Sequence, residues 1–344
     1  MFRRTYFVVM IILGWMVASC SISGGGSPEL PDLGTIKVGF LPVTGYGGFY
    51  VAAEKGYFKE QGLDVHLERF DTGSKMIAPL SAGQLDVGMG EPGTALFNAI
   101  HQGLDVRVVC GTSAYKEGFA RIPVVVRKDL VDSGEITQIA DLAGKKIGIN
   151  TLRGMGEYSF SLVLALGGLT VADVEFVTIP FPDIPAALAN KAIDAAYLPS
   201  PMAEKAAADG IAIRMFGSDY TGDIQNGVMY YGKRFLDPAN REVVVRFTMA
   251  YLKAVRELMG DGFFEEENLT IINKYTNLPI EVIKTTIRTY QDPNCDVLED
   301  SLTNTQAFYL NRGYTEYSQP IAIGDVLEMS FREEALNRLG IYDE

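Results

Sequence analysis

The sequence predicts an α/β protein of two matched lobes, each a mostly parallel sheet flanked by helices, with two hinge crossings between them. Three observations predict it. A βαβαβ order fills residues 37–88, the same order returns from residue 146, and the chain of 344 residues is longer than one hydrophobic core usually supports.

In the first copy the β-rich run Lys37-Val38-Gly39-Phe40 leads into a glycine turn (Gly45, Gly47, Gly48) and a helical stretch over 49–60. A strand follows at 63–70, where Val65 and Leu67 alternate with polar neighbours. Next come a helix over 74–82 and the phrase Gly83-Gln84-Leu85-Asp86-Val87-Gly88, which turns into a third strand. In the second copy Lys146-Ile147-Gly148-Ile149 precedes a glycine turn (Gly154, Gly156), a helix over 158–166 and a strand near 174–179. A helix over 184–190 and the run Lys191-Ala192-Ile193-Asp194-Ala195-Ala196 close it. Lys37 and Asp86 are 49 positions apart and Lys146 and Asp194 are 48, while Leu80 and Asp86 match Leu188 and Asp194. The β-branched run 122–127 reads as the crossing from one lobe to the other and 227–231 as the return. Lobe one is then 35–121 with 232–344, and lobe two 128–226. Helices over 238–259, 265–275 and 279–289, and one ending near Leu339, complete the first lobe. Two crossings form a hinge, and matched lobes on a hinge enclose a cleft that can close.

The first nineteen residues carry Arg3 and Arg4, an apolar stretch over 6–17, and the small pair Ala18-Ser19 before Cys20, the layout of a secretory signal peptide. Val17-Ala18-Ser19-Cys20 is similar to a bacterial lipobox, which implies cleavage before Cys20 and lipidation of its thiol; each buried methylene contributes about 0.8 kcal/mol to anchoring. The apolar stretch is short of the ~20 residues of a spanning helix. Residues 20–34, with Gly24-Gly25-Gly26, Pro28 and Pro31, read as a flexible stalk. Loss of residues 1–19 removes two arginines and no acid, moving the formal charge from −13 to −15. So acidic a body argues against nucleic acid and against broad contact with anionic lipid. Cys110 and Cys295 either pair in an oxidising compartment or stand as two small buried hydrophobes, and the usual burial of free cysteine favours the second.

Several phrases together resemble a known family. They are Gly39-Phe40-Leu41-Pro42, the stretch from Tyr50-Val51-Ala52-Ala53-Glu54-Lys55-Gly56-Tyr57-Phe58 to Gly62-Leu63-Asp64-Val65, Leu80-Ser81-Ala82-Gly83-Gln84-Leu85-Asp86-Val87-Gly88, and Asp141-Leu142-Ala143-Gly144-Lys145-Lys146-Ile147-Gly148. The resemblance is to type II periplasmic binding proteins, in the branch serving nitrate, sulfonate, taurine and thiamine-precursor importers. It implies a monomer that traps a small-molecule ligand by lobe closure on the extracytoplasmic face of the cell membrane and delivers it to an ABC permease and its ATPase. A Walker-type phosphate loop is absent from this chain, so the ATPase is another protein.

Ligands of open parallel sheets lie beyond the carboxyl ends of the strands, beside helix N-termini. In the loops this rule selects, the rings suited to stacking on a flat ligand are Tyr46, Phe49, Tyr50, Tyr115, Tyr158 and Phe181. The polar candidates are Thr44, Ser74, Glu91, Thr94, Asn150, Arg153, Glu157, Asp183 and Ser200, of which Ser74 and Thr94 are equally suited to capping helices. Three carboxylates (Glu91, Glu157, Asp183) against one arginine suit a neutral, donor-rich heterocycle better than an anion. Riboflavin is favoured, with a hydroxymethylpyrimidine next. Sulfonate, taurine or nitrate is the alternative, because helix N-termini hold anions without lysine.

A pyrimidine-synthase-like enzyme is the competing class on this scaffold, and it needs a Schiff-base lysine with a histidine or thiol partner. His66 falls inside a strand and His101 ends a helix, so neither reaches a predicted loop, and no His/Cys cluster has metal-ligand spacing. The expectation is no catalysis, no cofactor and no metal.

Overall fold

A computed structural model describes residues 31–343. The leader at 1–19, the lipidation at Cys20 and residues 20–30 of the stalk lie outside the described residues.

Among the described residues ten strands form two five-stranded sheets. The first holds β1 (Ile36–Phe40), β2 (Val65–Arg69), β3 (Val87–Gly90), β4 (Arg107–Tyr115) and β10 (Ile224–Tyr231) in the order β2-β1-β3-β10-β4. The second holds β5 (Val124–Arg127), β6 (Lys146–Ile149), β7 (Glu175–Thr178), β8 (Ala195–Tyr197) and β9 (Ala212–Arg214) in the order β7-β6-β8-β5-β9. β1 runs parallel to β2 and β3, as β6 does to β7 and β8, while β10 and β5 are antiparallel to both their neighbours. Each sheet is therefore mixed, and β10 fills in the first the place β5 fills in the second.

The duplication extends to a three-residue clasp. Asp86 accepts the Lys37 N–H at 2.9 Å and returns its own N–H to the Lys37 carbonyl at 3.0 Å. Asp194 does the same with Lys146 at 2.9 and 2.8 Å. An arginine from the antiparallel strand or its exit pairs with each carboxylate, Arg234 with Asp86 at 2.9 Å and Arg127 with Asp194 at 3.2 Å. The aspartate thus ties the start of one parallel strand to the start of the next, and the arginine adds the antiparallel strand between them and the sheet edge.

The helix expected over 49–60 is two, Gly47–Glu54 and Tyr57–Glu60, broken at Gly56, whose φ of +77° suits glycine. β4 continues five residues past Cys110, so Tyr115 ends a strand instead of standing in a loop. Only Ile280–Lys284 of the expected 279–289 helix forms, and a helix not predicted, Glu299–Asn311, follows. Its buried face carries Ser301, Thr305 and Gln306 beside Leu302 and Tyr309, which hides the apolar period that would reveal it. Cys110 and Cys295 are both buried and form a disulfide, so the reading of two free buried thiols is corrected. Their 185-residue separation says nothing about the 4.7 Å between their Cα atoms.

Candidate functional site

The carboxyl ends of the parallel strands of both sheets face one another across a cleft, and direct bonds close it. The Tyr115 and Tyr197 hydroxyls, at the ends of β4 and β8, share a hydrogen bond of 2.6 Å. The Thr94 hydroxyl and N–H both donate to the Arg153 carbonyl, at 2.8 and 3.3 Å. The Tyr314 hydroxyl donates to Glu157 at 2.6 Å, and the Arg153 guanidinium lies 5.1 Å from the Tyr314 ring centre.

Behind the tyrosine pair is a cavity of about 50 Å³. Of the residues expected from sequence, Tyr46, Glu91, Tyr115, Asn150, Phe181 and Ser200 line it. Tyr46 ends the short turn Thr44–Tyr46 that follows β1, and Phe181 faces Tyr197 with ring centres 6.1 Å apart. Burial, aided by the nearby Glu91 charge, pushes the Tyr46 phenol far above its ordinary range; burial does the same for Tyr115 and Tyr197. These hydroxyls stay protonated and can both donate and accept. Asn150 is 4% exposed, and its Oδ1, like Asn226 Oδ1 and Thr112 Oγ1, has no hydrogen-bond partner among the described residues. The Arg214 guanidinium at the wall is held by Glu204 at 2.8 Å, and Ser200 donates to the same carboxylate at 2.7 Å, so this cation is already paired.

A second cavity of about 140 Å³ adjoins the first, lined by Ser74, Thr94, Thr151, Arg153 and Tyr230, and Glu91 borders both. The Glu91 Oε2 accepts the Met155 N–H at 3.2 Å, at the start of the helix Met155–Leu166. Burial pushes its carboxyl up to about 7, against the Met155 N–H, which favours the ionised form. Neither Ser74 nor Thr94 caps its helix: Ser74 shares a hydrogen bond with Thr72 at 3.0 Å and Thr94 crosses the cleft.

Six expected residues line neither cavity, among them Glu157, which Tyr314 binds across the cleft. Phe49 is fully buried in an aromatic cluster with Phe58, Phe247 and Tyr251. Tyr50 stacks on Tyr275 and donates to the carbonyls of Leu41 and Val43, bracing the loop after β1. Tyr158 packs on Phe308, Asp183 is exposed, and Thr44 is buried within the turn. The carboxyl-end rule points to a loop, but where the loop winds into a turn or helix some of its side chains are carried into the core and others out to solvent. Conversely, Tyr197, Arg214, Asn226 and Ser113 line the first cavity without having been expected. Tyr197 is the last residue of β8, just ahead of the loop that carries Ser200, and Asn226 sits on an antiparallel strand, whose early half shares the rim with the carboxyl ends of its neighbours. Around Gly227 that strand is bulged, and a Cβ there would meet Ser113 Oγ at 2.3 Å. His66 and His101 line neither cavity; His101 packs on Tyr317.

The chain matches a model of the NMT1/THI5-like family over residues 43–271. A putative binding protein of Brucella abortus (strain 2308) is 28% identical over 202 residues, covering 58% of this chain and 56% of that protein, so the chain spans little more than half the length of this relative. The riboflavin-binding protein RibY of Chloroflexus aurantiacus is 23% identical over 229 residues, 66% of this chain and 62% of that one. Among solved structures, the periplasmic nitrate-binding protein NrtA of Synechocystis PCC 6803 superposes with a TM-score of 0.76 at 15% identity, covering 91% of each chain. The alkanesulfonate-binding protein SsuA of Xanthomonas axonopodis pv. citri, bound to MOPS, does so at 0.71 and 16%, covering 88% of this chain and all of that one. These likenesses establish the periplasmic-binding-protein fold expected from the sequence.

Proposed function

This chain belongs to the NMT1/THI5-like family, and on that premise we propose that it is the extracytoplasmic capture subunit of an ABC importer, binding a small planar heterocycle and catalysing nothing. The observation that carries the reading is the closed, tyrosine-walled cavity between two sheets, whose polar atoms include several without partners and whose one cation is already paired. A solute bridging both walls favours the closed form by its differential affinity for the two states. Lobe one (35–121 and 232–344) takes the solute first, lobe two (128–226) closes on it, and 122–127 and 227–231 serve as the hinge. A permease with its ATPase receives the solute, and a lipid on Cys20 holds the protein at the membrane. The buried disulfide suits an oxidising compartment.

Neutral tyrosine hydroxyls and amide groups favour imide, amide and hydroxyl partners, which supports riboflavin, as does the likeness to RibY. The cavity of about 50 Å³ is smaller than the ~150 Å³ that accepts a benzene ring. Any ring-bearing solute therefore needs the sheets to part, riboflavin further than a hydroxymethylpyrimidine, which is the second reading. The test is calorimetry of the purified protein with riboflavin, a hydroxymethylpyrimidine, taurine and nitrate. Binding of a heterocycle with micromolar or better affinity is expected; binding of an anion alone overturns the ligand class, and binding of none overturns capture of this kind of solute.

A further inference from the structure

Glu91 occupies the place where an anionic solute would sit. Its carboxylate accepts the first N–H of the twelve-residue helix Met155–Leu166, the positive end of a helix dipole. The approach is close enough that a Cβ on Gly154 would lie 2.6 Å from Glu91 Oε1, so only glycine at that position admits the carboxyl. The backbone of Glu91 is fixed as well: its carbonyl accepts the Gly93 N–H at 2.8 Å and the Tyr230 hydroxyl. Among the described residues no lysine or arginine forms an ion pair with it, since Arg214 is taken by Glu204 and Arg153 lies over Tyr314. Independently, the buried Asn150 lines the same cavity with its Oδ1 unpartnered, a polar group set for a solute at this spot.

We infer that Glu91 is a specificity-determining residue, a built-in carboxyl that fills the helix N-terminus and shuts anionic solutes out of the cleft. The inference rests on the proposed capture function and sharpens its ligand class. Because Glu91 follows β3 of the first sheet and Met155 follows β6 of the second, the same contact also brings the two sides together without a solute. An anion arriving from solution must displace a carboxylate tethered in place and then sit beside it. A neutral heterocycle needs only to share its oxygens.

The experiment compares the full-length protein with Glu91→Ala and Glu91→Gln by calorimetry, using methanesulfonate and riboflavin as probes. Methanesulfonate is expected to bind Glu91→Ala at least about tenfold more tightly than the wild type, since charge-assisted bonds from freed N–H groups are among the stronger ones. Glu91→Gln, whose amide oxygen still accepts from Met155, is expected to gain less. Should Glu91→Ala not fold, Glu91→Ser gives the same readout. A folded small-residue variant with no gain in methanesulfonate affinity, or a wild type that binds methanesulfonate as tightly as the variant, overturns the inference. Failure of riboflavin to bind the wild type bears on the proposed ligand and leaves the anion comparison intact, so the two failures are distinguishable.

Discussion

The two sheets share an order, a parallel core and a Lys-Asp-Arg clasp, yet they are built to different depths. Behind the first sheet, the helix Gly47–Glu54 packs on the seventeen-residue helix Arg241–Glu257 through Phe49, Phe247 and Tyr251, and a disulfide ties β4 to the loop before Glu299–Asn311. The second sheet has strands of three or four residues and, among the described residues, no disulfide of its own. In the clasps the aspartates differ in the same direction, Asp86 being nearly inaccessible and the Asp194 side chain 23% exposed, while the arginines differ in the other, Arg234 being 37% and Arg127 10% exposed. The difference teaches that one half serves as the frame and the other as the part that can yield.

The disulfide offers the largest way to break that contrast. Replacing both Cys110 and Cys295 with alanine is expected to lower stability by roughly 3–5 kcal/mol, given the long loop it closes. Urea unfolding, followed with and without reductant, measures it. Next are the clasps: Asp86→Ala is expected to cost about 3 kcal/mol by stranding Arg234 and the Lys37 N–H, and Asp194→Ala about 1 kcal/mol because water reaches that site. Equal losses in urea unfolding would mean that the halves are braced alike.

Titration sharpens the comparison at the seam. The folded-state pKa of Glu91, about 7, is above the ordinary 4.5, so the folded protein holds that proton more tightly than the unfolded chain. Its contribution to stability is complete below pH 4.5 and is lost as pH rises through 7, a fall of up to about 3 kcal/mol. The phenols that face it (Tyr46, Tyr115, Tyr197 and Tyr230) are pushed up by burial and stay neutral across this window. Urea midpoints from pH 5 to 8 should decline less steeply in Glu91→Gln. The smallest effect expected is on the ligand: Tyr46→Ala and Tyr115→Ala each weaken an aromatic solute several-fold, about 1 kcal/mol, without unfolding. Calorimetry of both variants reads it, and unchanged affinity in both removes the stacking role.

Much of this architecture is legible before any coordinate. The near-equal spacing of Lys37 to Asp86 and Lys146 to Asp194 turns out to be a repeated set of hydrogen bonds, which is why the period survives where the side chains around it have diverged. Tyr46, Glu91 and Tyr115 were reachable from the carboxyl-end rule because that rule describes where parallel strands leave their backbone open. Phe49 and Tyr50 were not separable from them, since a ring that stacks on a solute has the same chemistry as a ring that stacks on Phe58 or Tyr275. Asn226 and Arg214 escaped because their strands run against, or at the edge of, the set to which the rule applies. The disulfide escaped because proximity of Cys110 and Cys295 depends on how the last helices fold back.

β10 stands between β3 and β4, although it follows them by more than a hundred residues in the chain. The second sheet is assembled from one unbroken stretch, so it has all its strands as soon as residue 214 has been made. The earlier-made half must keep an open slot until residue 231 arrives. Maturation therefore runs opposite to synthesis, the yielding half finishing first and the frame last. A chain that ends before β10 is expected to leave β3 and β4 each with an unpaired edge.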